Sequence, residues 1–285
     1  MPEGAWQPSA REREREEVRR TLRRRHILVA TAATVVFLGL VIGGVVSSPG
    51  WPTFRATFLS WPDAKAAFPS IWHAFWKYNV VLFLVGEVLI LALALTVALV
   101  RQSKAPVLLP LRVLAVLYTD IFRGVPTILL VFMLVFGVPS LQLQGVPNSA
   151  FFWGLVALVL SYGAYVAEVI RSGIESVHPS QVASADALGL SRAQAMRYVV
   201  VPQAVRRVVP PLLNDFISLQ KDTALVGAAG LFEALFAAQD YANYNFNYTP
   251  YVVVAGYFVV LTVPLARLTD HLQRRAMQRE RAGVL

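Results

Sequence analysis

Residues 178–203 read His178-Pro179-Ser180-Gln181-Val182-Ala183-Ser184-Ala185-Asp186-Ala187-Leu188-Gly189-Leu190-Ser191-Arg192-Ala193-Gln194-Ala195-Met196-Arg197-Tyr198-Val199-Val200-Val201-Pro202-Gln203. Pro179 suits the first turn of a helix and Gly189 its C-terminal stop. Between them, residues 181–188 put small side chains on most faces. Ser191 and Gln194 have the spacing of a capping box and open a second helix. Pro202 is expected to interrupt that helix, and Pro210-Pro211 to open the element beyond. The stretch therefore predicts a short helix–turn–helix within a polar, basic segment, 171–208. Read from its residues alone, it is either a surface that lets another protein approach closely or an ordinary helical loop.

What flanks this segment decides the fold class. The chain is 56% hydrophobic and 15% charged, with a mean hydropathy of +0.54, against a charged share of about a quarter in soluble domains. The apolar residues lie in long runs, and a span needs roughly 20 of them to cross about 30 Å of hydrocarbon. The expected spans are Ile27–Val46, Tyr78–Val100, roughly 108–137, Ala150–Ile170, roughly 209–236 and Pro250–Ala266. The first is longer than the 7–15-residue apolar core of a secretory signal, so it is read as a spanning helix. The fold class is all-α, a polytopic helical membrane protein. Residues 1–26 form a charged tail, with alternating Arg and Glu from Arg11 that can pair along a solvated helix. Residues 47–77 carry prolines and Trp51, Trp61, Trp72 and Trp76, and are read as an external interfacial segment. A basic tail, 267–285, closes the chain.

Charge orients these spans. Lys and Arg number eight in 1–26, continue with Arg101, Lys104 and Arg112, number six in 171–221 and five from Arg267 onward. The alternate segments hold Arg55, Lys65 and Lys77, and the loops 138–149 and 237–249 hold none. This is the positive-inside distribution. It places both termini and the 171–208 loop in the cytoplasm of a cell (plasma or inner) membrane protein. The net charge of +9 is thus explained by topology, and no nucleic-acid partner is expected.

Ionisable groups in a span are costly and want a reason. Glu87, Glu168, Asp215, Lys221, Asp222 and Glu233 are the ones to explain. On the expected fifth span, Asp215, Ser218 and Asp222 share one helix face, flanked by Asn214 and Lys221. One reading makes them the lining of a solute path or its gate. The other makes Lys221 a structural partner of Asp215 or Asp222. Glu168 either lines the path or pairs with Arg171, and Glu87 either meets solute or bonds another helix.

Several chemistries are excluded. With no cysteine there are no disulfides, thiol catalysis or cysteine metal sites. There is no G-x-S-x-G and no H-E-x-x-H, and the four histidines are scattered. None of the four lysines follows a glycine, so no P-loop exists and any ATP-driven work needs a partner. No catalytic residue, metal or cofactor is expected.

The loop and its surroundings resemble the polar amino acid branch of binding-protein-dependent ABC importer permeases. The resemblance rests on Ala183 to Gly189 followed by Val200-Val201-Pro202, on Phe122-Arg123-Gly124-Val125-Pro126, on Ala164 to Arg171, on Pro202-Gln203-Ala204, and on Lys221-Asp222-Thr223-Ala224-Leu225. It covers 78–266 and implies a type I importer fold, a five-helix core here preceded by one extra N-terminal transmembrane helix, 27–46. It further implies that the chain moves polar amino acids inward, driven by two copies of an ABC ATPase. An extracytoplasmic amino acid binding protein would supply the solute, and a second permease subunit, either another copy or a paralogue, would complete the path. Under this resemblance Ala183, Ser184, Ala185, Asp186, Leu188 and Gly189 form the coupling helix that enters a groove on the ATPase. The chain departs from the family at Ala183, usually Glu, and at Ser184, usually Ala; Asp186 or other atoms then supply the acidic contact. Transport of another small polar solute, or a non-catalytic membrane scaffold, are the alternatives.

Overall fold

The computed structural model describes residues 9–103 and 105–281. Lys104 of the expected basic turn and the ends of both tails lie outside the described residues. So do the side chains of residues 12–18, where charge pairing along the first helix was expected. The described residues form helices α1 (Ala10–Val46), α2 (Trp51–Phe58), α3 (Trp61–Ala74), α4 (Val80–Gln102), α5 (Leu109–Gly124), α6 (Thr127–Phe132), α7 (Val138–Ser140), α8 (Ala150–Glu175), α9 (Pro179–Ala187), α10 (Arg192–Ala195), α11 (Val201–Asp222), α12 (Ala234–Asn245) and α13 (Thr249–Arg281). Among the described residues there is no strand.

The chain divides into two compact units between Ala56 and Thr57. In the first, α1 joins the charged tail and the first apolar run in one helix. The Ser47 and Ser48 hydroxyls bond the carbonyls of Gly43 (2.5 Å) and Val45 (2.7 Å) where that helix ends. Its apolar side chains, Phe37 and Leu40 among them, are exposed, as lipid contact requires.

In the second unit, α8 is the central element and packs against α4, α5, α6 and α11. Leu82, Ile90, Leu158 and Leu219 are fully buried in that core. A second cluster joins α3, α12 and α13 through Ile71, Ala237, Ala238 and Val254. Four helical stretches among the described residues are long and apolar enough to span a membrane: Leu22–Val46, Trp51–Gln102, Ala150–Glu175 and Thr249–Arg275. The bent pair Pro106–Gly124 and Thr127–Ser140 makes up to five.

Several expected boundaries move. The second span does not begin at Tyr78: helix continues from Trp61 through a π-helical turn, Phe75–Asn79, to Gln102. The third span is broken at Val125-Pro126, where the axis turns by 106°. Pro126 has no N–H to donate and forces Val125 into an extended conformation, φ −91°, ψ 127°. Pro202 does not interrupt its helix, because it falls in the first turn of α11, just after a π-helical turn over Met196–Val200. Nor do Pro210 and Pro211 open a span; both lie inside α11. The expected single span over 209–236 is instead the end of α11, a 3-10 stretch Thr223–Ala229, a turn at Gly230 (φ 94°), and the start of α12.

Without water to drive apolar faces together, helices in hydrocarbon associate through close packing at small residues. Glycines on α8 show this. A Cβ at Gly154 would sit 2.2 Å from Val226 Cγ1, and one at Gly173 would sit 2.0 Å from Val208 Cγ2. We expect Gly154→Ala to lower the stability of the detergent-purified protein by about 1–3 kcal/mol, as overpacking does. Gly43→Ala on α1, where nothing lies within 4 Å, should leave it unchanged. Thermal unfolding of both variants checks the contrast.

Candidate functional site

Three arrangements carry chemistry in the second unit. The first is the loop between α8 and α11. Pro179 stands at the start of α9, where a missing N–H costs nothing. The helix ends in a Schellman turn: Leu190 N–H bonds the Ala185 carbonyl (3.1 Å) and Gly189 N–H the Asp186 carbonyl (3.0 Å), with Gly189 at φ 77°. The Ser191–Gln194 capping box is present in both directions (2.8 and 3.4 Å). Val177, Val182, Met196, Val200 and Ala204 pack beneath the loop, and the Arg207 guanidinium donates to the Ser176 carbonyl. Ala183, Ser184, Asp186, Leu188 and Gly189 face outward, Leu188 at 82% exposure. Ala185 does not: it is buried on the inner side of α9, beneath the outward residues of the same helix.

The second is a polar track on the facing sides of α8 and α11. Thr127, Tyr162, Tyr165, Asp215, Ser218, Lys221 and Asp222 line a cavity of about 350 Å³. Tyr162 donates its hydroxyl to Asp222 Oδ2 (2.8 Å), and the Thr127 and Ser161 hydroxyls share a hydrogen bond (2.8 Å). Asp215 Oδ2 is buried with no hydrogen-bond partner among the described residues. Lys221 is exposed and forms no ion pair there, so the expected Lys221 pairing with Asp215 or Asp222 is not made; Tyr162 takes Asp222 instead. Asn214 points away from this cavity to an exposed position. Glu87 is half-buried outside the lining but feels the Asp215 charge from α4.

A neighbouring cavity of about 470 Å³ lies next to the loop, with Arg123, Tyr165, Glu168, Ser172, Arg207 and Asp215 in its wall. Glu168 is the hub of an arginine cluster. Arg101 of α4 reaches it at 2.8 Å, Arg171 of α8 at 2.5 Å, and Arg123 of α5 stands 3.9 Å away. Thr119 accepts from the same Arg101 (3.1 Å). The Arg171 pairing read from sequence is therefore present, and two further arginines from other helices join it.

The third arrangement gathers Glu233, which the sequence singled out as a charge in a span, with Asn79 and Thr223, which sequence reasoning missed. Glu233 is fully buried and caps α12, accepting from the N–H groups of Leu235 (3.0 Å) and Phe236 (2.9 Å). Asn79 donates to Glu233 Oε2 (2.8 Å) and Thr223 Oγ1 (3.2 Å), and accepts from Ala234 N–H (3.0 Å). The π-helical turn aims Asn79 at this knot. For Asn79 the one sequence signal is a lone asparagine heading an apolar run. Gly227 leaves the room: a Cβ there would stand 1.9 Å from Glu233 Oε1.

Broken helices thus border an open polar track, with a structured polar loop at one end of it, an arrangement suited to a membrane-embedded transport subunit. The comparisons with known proteins agree. Residues 105–278 match the family described as "Binding-protein-dependent transport system inner membrane component", and the chain belongs to that family. It is thus a transport subunit and not an enzyme. "Probable amino-acid permease protein YxeN" of Bacillus subtilis (strain 168) is 33% identical over 219 residues, 76% of this chain and 95% of the relative. "Probable glutamine ABC transporter permease protein GlnM" of the same organism is 32% identical over 177 residues, 62% of this chain and 81% of the relative. A solved structure described as "Crystal structure of an amino acid ABC transporter with histidines" matches with TM-score 0.66 at 30% identity, covering 73% of this chain and 94% of that one. The MetNI methionine ABC transporter in an inward facing conformation matches in fold, with TM-score 0.59 at 18% identity, over 76% and 99% of the two chains.

The knot yields a stability prediction. Asn79→Ala strips partners from Glu233, Thr223 and the Ala234 N–H together. Each buried polar group left unpaired costs about 1–3 kcal/mol. The expected result is a lower thermal midpoint of the purified protein, with Asn79→Asp, which keeps an acceptor but repels Glu233, no better than Asn79→Ala. Unchanged midpoints in both would show that the knot adds nothing to stability.

Proposed function

We propose that this permease subunit carries polar amino acids inward across the membrane, and that the α8–α11 track is their path. The carrying observation is Asp215 Oδ2, a buried carboxylate oxygen without a partner, beside a cavity whose other charged groups are Lys221 and Asp222. An unpaired buried charge is costly, and a zwitterion supplies what is missing: its ammonium meets Asp215, and its carboxylate meets the free Lys221. The names of the similar amino acid and glutamine permeases support the same solute class. Glu87 adds to the negative field at Asp215. Glu168 belongs to the arginine cluster, holding α4, α5 and α8 together at the inner end of the path.

The loop faces the cytoplasm together with both termini, following the distribution of Lys and Arg. The outward residues Ala183, Ser184, Asp186, Leu188 and Gly189 dock into an ATPase subunit. Two such ATPases, a second permease subunit and an extracytoplasmic amino acid binding protein complete the transporter. Leu188 is the apolar contact and Asp186 the acidic one. The layout that goes with this reading is a cytoplasmic tail to residue 26, an extra span over 27–46, an external segment from 47, a permease core that takes in the helix from Trp61 as well as 78–266, and a basic cytoplasmic tail from 267.

Two variants in proteoliposomes test path and docking separately. Asp215→Asn should assemble normally and lose uptake by about tenfold or more, each 1.4 kcal/mol of lost contact being a factor of ten. Wild-type uptake in this variant would remove Asp215 from the path. Gly189→Val places a β-branched residue at φ 77°, a strain of about 1–3 kcal/mol. It should insert normally but co-purify poorly with the ATPase and lose substrate-stimulated ATP hydrolysis. Wild-type association and stimulation would show that the loop does not couple the subunits.

A further inference from the structure

The two cavities share two wall residues, Tyr165 and Asp215. Their linings also belong to one pair of facing stripes. On α8 and its C-cap, Tyr165, Glu168, Ser172 and Ser176 recur at helical spacing. On α11, Arg207, Pro211, Asp215, Ser218 and Asp222 do the same. The cavities are therefore two compartments of a single track, and Tyr165 and Asp215 border the junction, or waist, between them. Tyr165 is more than a passive wall. Its hydroxyl donates to the Arg123 carbonyl (3.0 Å), and the Arg123 guanidinium lies 6.0 Å from its ring centroid. Arg123 stands at the end of α5, immediately before the 106° bend at Val125-Pro126. The ring is thus tied to the broken helix across the track, while 41% of the residue remains exposed and outside the packed core.

We propose that Tyr165 is the barrier between an outer and an inner compartment of the amino acid path, and that its bond to the Arg123 carbonyl latches it shut. This rests on the reading of the track as a path with the loop on its cytoplasmic side. A change in the bend of α5 against α6 withdraws the Arg123 carbonyl, releases the phenol and lets the ring swing from the waist. The bend is then the element that senses the state of the transporter, and Tyr165 is the part that opens.

The absence of native cysteine permits a direct test in the assembled transporter. Ser172→Cys reports on the inner compartment alone and Ser218→Cys on the outer compartment alone. Each is labelled with an impermeant maleimide applied to the cytoplasmic face of membrane vesicles. The expected result is rapid labelling of Ser172→Cys and protection of Ser218→Cys. That protection is lost when Tyr165→Ala is added, the rate rising to that of Ser172→Cys. Tyr165→Phe, which keeps the ring and removes the latch, should give an intermediate rate, and it decides the matter if the alanine variant fails to assemble. Equal labelling of Ser218→Cys with and without the Tyr165 substitutions would overturn the barrier. Labelling of Ser172→Cys only from the opposite face would overturn the proposed sidedness, and the barrier is then judged by the same comparison from that face. Failure of the wild type to drive amino acid uptake with ATP would overturn the solute reading while leaving the thiol rates to judge Tyr165.

Discussion

The fit of α8 against its neighbours is the contact on which everything else hangs. In hydrocarbon, burying a leucine against another helix gains little over burying it in lipid, so association depends on close packing and interhelical hydrogen bonds. Gly154 admits Val226, Gly163 admits Leu93 and Tyr118, and Gly173 admits Val208. These contacts run the length of α8 and fix its distance from the 3-10 stretch, from α4 and α5, and from α11. The Tyr118 hydroxyl then reaches the Leu160 carbonyl (2.8 Å). With the two backbones held this near, the facing stripes of α8 and α11 border one continuous polar track.

Polar groups in such an interior divide by whether they are satisfied. Asn79, Thr223 and Glu233 are each bonded, and together they join α4 to the ends of α11 and α12. Glu168 meets arginines from three helices. Both sets look inward to the protein and serve the architecture. Asp215 and Lys221 differ. Neither finds an ion-pair partner among the described residues, and both border the same cavity. Lys221 is exposed and can meet water, whereas Asp215 Oδ2 is buried without a partner among the described residues, a costly state that an occupant of the proposed path would relieve.

Local chemistry explains what was legible in the sequence. The α9 turn was readable because Pro179, Gly189, Ser191 and Gln194 act on backbone within a few residues of themselves, and each does what its type dictates. The stripe Asp215, Ser218, Asp222 was readable from helical periodicity alone. Boundaries were less so. Pro126 breaks its helix while Pro202, in the first turn of α11, and Pro210 and Pro211, inside it, do not, and the residue type alone does not tell these cases apart. Partners were hidden for a different reason. Asn79 and Glu233 lie 154 residues apart, and Tyr162 and Asp222 lie 60 apart, so no spacing rule connects them. The burial of Ala185 was hidden for the same cause: its neighbours on the linear motif face outward, and only the tertiary packing of the loop shows which side of α9 is down.

The helix breaks follow from this division. A backbone in hydrocarbon must satisfy its own N–H and C=O groups, so it abandons helix only where protein or a water-filled cavity takes over. Both large breaks in the second unit meet that condition. At Val125-Pro126 the nearby Arg123 carbonyl accepts from Tyr165, a side chain of the track. After Asp222 the chain tightens into a 3-10 stretch, and the next helix begins capped by Glu233, which Asn79 supports from the π-helical turn before α4. Each break is thus paired with a side chain from another helix, and the two pairings differ in burial. The Glu233–Asn79 knot is sealed and fully bonded, which makes it a fixed joint. The Tyr165–Arg123 contact is a single bond at a half-open position between two cavities, which makes it the joint that can be undone without unfolding what surrounds it.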